Sequence, residues 1–194
     1  TDSSFLDNNT GSGGGAGALK LQHGTEANLS AVLFANNHSA NGTGAVICDG
    51  CSATLDGTRF IGNWGDFDSP ALTVSGSCSV LVENCVFWDN VSIDGTSSPV
   101  LCRNGAEPLL RNITIAGNRS DHAPWATGII CVDSSPAIEN SILALNEGYS
   151  GQELVRCSGV CAPTISRCCV FGNTSDEILC GAVSDTLLRN PRLC

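Results

Sequence analysis

The feature that most constrains the fold of this chain is a short motif that recurs along almost its whole length. An apolar residue stands three places before an asparagine in seven copies, the first four of which read FLDN, FANN, FIGN and FWDN. The intervals between the asparagines are 29, 26, 27, 28, 28 and 27 residues. A period in this range is typical of a solenoid, in which each repeat packs on its neighbours. The repeat asparagines are Asn8, Asn37, Asn63, Asn90, Asn118, Asn146 and Asn173.

Glycines that keep the same period divide each repeat into shorter segments. Short apolar runs end at Gly24, Gly50, Gly76, Gly105 and Gly159, and another apolar run follows each glycine. No window has helical periodicity, so each repeat predicts three short strands separated by corners. We therefore predict an all-β parallel β-helix solenoid of about seven coils with about 27 residues each. It forms a single domain over residues 1–194, in which 174–194 is an irregular, disulfide-rich C-terminal end.

The corner between the second and third predicted strands carries an asparagine in three successive repeats. These residues are Asn84, Asn112 and Asn140. Asparagine tolerates a left-handed backbone, and stacked side-chain amides can hydrogen-bond to one another. The pattern predicts an asparagine ladder at this corner.

The repeat motifs resemble those of a known group of surface proteins. The triplet Gly14-Gly15-Ala16 and the four Phe-x-x-Asn copies are similar to the repeats of chlamydial polymorphic outer-membrane proteins. The scaffold as a whole resembles the right-handed, pectin-lyase-like β-helix. The first resemblance implies an adhesive or other cell-surface role, whereas the second also includes enzymes that act on polysaccharides.

The 12 cysteines indicate an oxidising compartment, because the C-x-x-C pair of Cys48 and Cys51 is not followed by a second pair or a His pair at zinc-site spacing. This pair could be a redox motif, although nothing around it resembles a βαβ unit and a structural role is the commoner interpretation. Cys51 and Cys78 occupy equivalent positions in adjacent repeats, and so do Cys102 and Cys131. Equivalent Cα atoms in adjacent coils lie about 4.8 Å apart, which a disulfide accepts. We predict both pairs as disulfides that staple adjacent coils. The pairing of six further cysteines stays open: Cys157, Cys161, Cys168, Cys169, Cys180 and Cys194.

Eight N-x-S/T sequons occur, although this composition gives roughly three by chance. The excess favours an N-glycosylated, secreted or cell-surface protein. The predicted glycosylation sites are Asn41, Asn28, Asn90, Asn118 and Asn37. Asn90, Asn118 and Asn37 are also repeat asparagines, for which a buried structural role competes with glycosylation.

The charge and the hydropathy pattern exclude several kinds of partner. A net charge of −10 with nine basic residues argues against nucleic acid and anionic membranes. No apolar stretch is long enough for a membrane span. We expect no cofactor.

The sequence shows no catalytic constellation. Asp49 and Asp133 lie at the first corner but three coils apart, which is too far for a carboxylate pair. The segment Gly65-Asp66-Phe67-Asp68 could offer two oxygens to calcium, although exposed turn acids are commoner. Three tryptophans follow the third strand and could form a stacking surface for a sugar or a partner. They are Trp64, Trp88 and Trp125, and the histidines His23, His38 and His122 fall at unrelated repeat positions.

These observations favour a secreted structural or adhesive β-helix protein, which we predict is not an enzyme and has no metal site. Its partners are expected to be a second copy, bound end to end as in a filament, or a carbohydrate or cell-surface molecule. The alternative is a polysaccharide lyase or glycoside hydrolase with an unrecognised active site.

Asn41 lies in a glycine-containing corner, so it should carry a glycan if any sequon does. The intact mass of native material is expected to fall after treatment with a glycosidase that removes N-glycans. An unchanged mass would remove the glycoprotein interpretation.

Overall fold

The computed structural model describes residues 3–94, 98–121, 126–148, 152–175, 178 and 180–188. These residues form 25 short strands, numbered β1 to β25 along the chain, and every pair of neighbouring strands is parallel. None of the described residues belongs to a helix long and apolar enough to cross a membrane.

The successive turns of the chain build four parallel sheets. The first sheet contains β3 (Leu19–Leu21), β7 (Val46–Asp49), β11 (Leu72–Ser75), β15 (Val100–Arg103), β19 (Ala126–Val132) and β22 (Glu153–Ser158). The second contains β4 (Glu26–Ser30), β8 (Ser52–Asp56), β12 (Ser79–Glu83), β16 (Leu109–Arg111), β20 (Ala137–Glu139), β23 (Thr164–Ser166) and β25 (Ala182–Ser184). The third contains β1 (Ser3–Leu6), β5 (Val32–Ala35), β9 (Arg59–Ile61), β13 (Val86–Trp88), β17 (Thr114–Ala116), β21 (Ile142–Ala144) and β24 (Cys169–Phe171). The fourth contains the two-residue strands β2 (Asn9–Thr10), β6 (His38–Ser39), β10 (Trp64–Gly65), β14 (Val91–Ser92) and β18 (Arg119–Ser120).

This architecture confirms the predicted all-β parallel solenoid and corrects three details. The chain makes about six turns rather than seven, because the first and last repeats supply strands to only some of the sheets. Five of the turns have a further two-residue strand, which is too short to give a hydrophobic period. Within the segment predicted to be irregular, β25 pairs with β23, so the second sheet continues there.

The interior is filled by columns of equivalent apolar side chains. In the third sheet, the rings of Phe5, Phe34, Phe60 and Phe87 stack with centroid separations of 4.9, 5.3 and 4.7 Å. Aliphatic residues continue the column, since Ile115 is in register with Phe87. Each fully buried ring contributes about 1.5–3 kcal/mol of transfer free energy. The rings' separation also measures the rise from one turn to the next.

A second buried column consists of the repeat asparagines. The Nδ2 atom of Asn37 donates to Oδ1 of Asn63 at 2.9 Å, and Asn63 donates in the same way to Asn90 at 2.9 Å. Each side chain also bonds a backbone carbonyl of the preceding turn, as Asn63 Nδ2 does with Phe34 O at 3.0 Å. The hydrogen-bond chain extends from Asn8 to Asn173. We call this column the buried asparagine ladder.

The asparagine ladder predicted at the second corner is short and exposed. Asn84, Asn112 and Asn140 have φ angles of 56°, 54° and 50°, the left-handed conformation that this tight corner requires. Asn112 donates to Asn84 at 3.4 Å, but Asn140 accepts from Arg167 at 2.8 Å. The longer amide column therefore lies at the third corner, where the repeat asparagines point inward.

Replacing Asn63 by Ala should lower the free energy of unfolding by about 3–5 kcal/mol, since several buried groups lose their partners at once. Asn84→Gly is the matched control, because glycine keeps the positive φ and the site is exposed; its effect should stay below about 1 kcal/mol. Urea denaturation of both variants measures the difference. Equal losses would show that the buried ladder adds little.

Candidate functional site

The outer face of the fourth sheet carries one side chain per turn in a straight column. His38, Trp64, Val91 and Arg119 are partners in adjacent strands, and each directly follows an asparagine of the buried ladder. The ladder holds that asparagine inward, so the next residue in a short extended strand points outward. Trp64, Val91 and Arg119 of this column form the floor of a concavity that contains the exposed Trp64 ring.

Two rows of residues form the walls of this concavity. One wall is the third corner, where Asn36, Gly62 and Asp89 have φ angles of 55°, 61° and 54°. The opposite wall contains Ile93 and Asp121. We call this concavity the Trp64 groove.

Close polar contacts hold the side chains around the floor in place. Arg119 Nε lies 2.8 Å from Asp121 Oδ1. His38 Nε2 lies 3.1 Å from Asp66 Oδ1, and its ring meets that of Trp64 edge-on at 5.9 Å. Trp64 is therefore held from one side while 50% of its surface stays exposed.

The groove has the size and chemistry of a ligand site. Its volume of about 450 Å³ falls within the range of small-molecule sites. An exposed indole ring can stack on the apolar face of a sugar, and the surrounding amide, carboxylate and guanidinium groups can hydrogen-bond its hydroxyls. The sequence singled out only Trp64 here. Aligning the residue that follows each repeat asparagine would have found Val91 and Arg119 as well.

The predicted surface of three tryptophans is not a single surface. Trp88 lies on the outer face of the third sheet, next to Gly117, and is 46% exposed. It does not line the Trp64 groove. Trp125 lies outside the described residues.

A second, polar concavity lies beside the first sheet. Lys20, Asp49, Asp68 and Arg103 line it, and its volume is about 110 Å³, well below that of most ligand sites. Arg103 holds Asp68 through two bonds of 2.9 and 3.2 Å. The structure thus places Asp49 and Asp68 in the same concavity. The sequence comparison paired Asp49 only with Asp133 and did not predict this.

Asp133 and the suggested calcium segment have local structural partners. Asp133 Oδ1 accepts from the backbone N–H of Val160 at 2.8 Å. Asp66 and Asp68 contact different side chains, those of His38 and Arg103. Among the described residues, no three His, Cys, Asp or Glu side chains form a group that could hold a metal ion. His23 is exposed beside Gly50, and His122 lies outside the described residues.

The four-sheet parallel architecture agrees with the comparison to known families. The family model described as a right handed beta helix region matches residues 38–190, more than three quarters of the chain. The chain belongs to this β-helix family. The match covers the fold in general and does not distinguish the chlamydial repeats. No curated protein and no solved structure matches the chain.

Burial in the β-helix argues against glycosylation at three of the predicted sites. Asn37, Asn90 and Asn118 are fully buried, and each Nδ2 atom donates to a backbone carbonyl and to the next amide of the ladder. A glycan on Nδ2 would displace these bonds and has no space. Asn41 and Asn28 are exposed, so glycosylation there stays a prediction.

The two predicted inter-coil disulfides involve cysteines of adjacent turns. Cys102 and Cys131 are register partners, and Cys51 N donates to Cys78 Sγ at 3.3 Å, but all four are thiols in this structure. Their pairing stays a prediction.

Among the six C-terminal cysteines, Cys157 and Cys180 form a disulfide with a Cα–Cα distance of 5.9 Å. Cys194 lies outside the described residues. Cys168 occupies the same second-corner column as Cys85, and both thiols donate to backbone carbonyl oxygens.

Proposed function

We propose that this protein is an extracellular, adhesive β-helix that binds a carbohydrate in the Trp64 groove. The observation that carries the proposal is the half-exposed Trp64 ring, set beside Val91 in a groove that also presents amide, carboxylate and guanidinium groups. Protein sites for sugars need both elements, because one face of a pyranose is apolar and its rim carries hydroxyls. The cysteine content and the exposed sequons at Asn28 and Asn41 support the extracellular setting.

The charged groups favour binding over hydrolysis. Glycoside hydrolysis requires two carboxyl groups facing one bond, about 5–10 Å apart. Of the two carboxylates that line the groove, Asp89 and Asp121, the carboxylate of Asp121 is instead paired with the guanidinium of Arg119. The enzyme alternative would be located at the polar concavity around Asp49 and Asp68, whose small volume suits it less well.

Replacing Trp64 by Ala should weaken binding to an immobilised glycan panel, and the Kd of the best glycan should rise about tenfold because the stacking platform is lost. Trp88→Ala removes an equally exposed ring outside the groove and should change that Kd less than about twofold. Isothermal titration calorimetry gives both values. If no glycan binds the unmodified protein, or if both variants lose affinity equally, the groove is not the site.

A filament subunit is a second candidate, favoured by the half-buried apolar residues of the first turn. Phe5 stacks on Phe34 on one side, and Leu19 packs at the end of its core column. Stacking another copy on this turn would extend both columns, and such a head-to-tail contact propagates.

Leu19→Asp should abolish this association, because the carboxylate would enter an apolar interface without a partner. Sedimentation velocity at high protein concentration measures the assemblies of both chains. A strictly monomeric unmodified protein would exclude the filament.

A further inference from the structure

Three thiols meet at the first corner of two adjacent turns. Cys48 lies in β7 next to its last residue, Asp49, and Cys51 directly precedes β8, so the two cysteines flank Asp49 and Gly50 at the corner. Cys78 precedes β12 and occupies the position of Cys51 one turn later. The backbone N–H of Cys51 donates to Cys78 Sγ at 3.3 Å, Cys78 Sγ lies 3.5 Å from Cys48 O, and the thiols of Cys48 and Cys51 are close enough to shift each other's pKa. Because the number is odd, any disulfide formed within this trio leaves one thiol beside it.

The three thiols differ in access. Cys48 and Cys51 are 0% and 4% exposed. Cys78 is partly exposed and lines a depression of about 460 Å³ on the outer face of the second sheet, together with residues such as Ser52 and Leu81. A molecule from solvent therefore reaches Cys78 first.

The hydrogen bonds and the burial of these three thiols give them different reactivity. The thiol of Cys78 donates its proton to Ser75 O at 2.9 Å. The backbone N–H of Cys51 donates to Cys78 Sγ at 3.3 Å, and this bond stabilises the Cys78 thiolate once the thiol proton is lost. Burial raises the pKa of the Cys48 thiol and of the Cys51 thiol. Cys78 is thus the first nucleophile, and the two buried thiols act after it.

We propose that this corner is a thiol–disulfide exchange site for a low-molecular-weight disulfide, with Cys78 as the entry thiol. The Cys78 thiolate attacks one sulfur of the small disulfide, forming a mixed disulfide while the other half leaves as a thiolate and takes up a proton. Cys51, having lost its proton to solvent, then attacks Cys78 Sγ, forming Cys51–Cys78 and releasing the second small thiol. Two cysteine thiols are oxidised, and one small disulfide is reduced to two thiols.

Cys48 allows a further step that needs no oxidant. Its thiolate attacks Cys51 Sγ, the Cys51–Cys78 bond breaks, and Cys78 leaves as a thiolate that takes up the proton Cys48 gave to solvent. The disulfide then lies within one turn, in the buried Cys48–Cys51 pair, and the entry thiol is free again. This proposal is independent of carbohydrate binding, since the corner lies apart from the residues of the Trp64 groove.

Oxidised glutathione is the probe for this site. The folded protein, with its corner thiols reduced, is mixed with it, quenched with acid at intervals, alkylated and mapped by mass spectrometry. In Cys51→Ser, the glutathione adduct should accumulate on Cys78. In Cys78→Ser, oxidation of Cys48 and Cys51 should slow at least about tenfold, because both are buried. In Cys48→Ser, the reaction should stop at Cys51–Cys78.

Cys85→Ser is the matched control. Cys85 donates to Leu55 O and Glu83 O, in a column where other turns carry the hydroxyls of Thr58 and Ser141. Burial raises its pKa to about 12. Its replacement should leave the rate and the position of glutathione uptake unchanged.

The order in which the adduct and the disulfides form in the unmodified protein tests the proposal even where a variant does not fold. We expect the Cys78 adduct first, then Cys51–Cys78, then Cys48–Cys51. The absence of a Cys78 adduct, or a Cys51–Cys78 bond that never passes to Cys48, would overturn the exchange site. Unchanged oxidation of Cys48 and Cys51 in folded Cys78→Ser would do the same.

Discussion

The hydrogen bond from one repeat asparagine to the next is the interaction on which the rest of this β-helix depends. An amide side chain offers two donors and an acceptor, so each asparagine can bond both the backbone and the amide of a neighbouring turn. Asn63, for example, bonds Phe34 O and Asn90 Oδ1 at 3.0 and 2.9 Å. Because these bonds tie equivalent residues together, they set the register of every strand around them. The stacked phenylalanines and the outward column of the fourth sheet follow from that register.

The same constraint separates structural polar groups from functional ones. Inward-facing asparagines are fully used by the ladder, which leaves them unable to carry glycans. Outward-facing residues one position later have no role in the ladder and are free to vary among His38, Trp64, Val91 and Arg119. The ladder holds this outward column in place, so the ligand proposed above would meet a pre-formed surface that needs little reordering.

Charged side chains on the outer faces link adjacent turns. Arg111 lies 2.6 Å from Glu83, and this hydrogen bond, with the attraction of Glu83 and Glu139, raises the pKa of the guanidinium. Arg167 and Arg103 pair similarly with Glu139 and Asp68. Such exposed pairs contribute little stability individually.

The sequence by itself determined the repeat, the parallel strands, the glycine and asparagine corners and the apolar columns, since period and side-chain type are properties of the chain alone. It also identified Trp64 and the equivalence of Cys51 with Cys78. It could not decide which asparagine column is buried, because Asn84 and Asn63 recur with the same period and differ only in the direction of the side chain. The tertiary structure decided three further features: the two-residue strands, the approach of Cys48 to the other thiols, and the groove formed by Asn36, Arg119 and Asp121. They depend on how tightly each corner turns, and that is set by contacts with neighbouring turns rather than by local sequence.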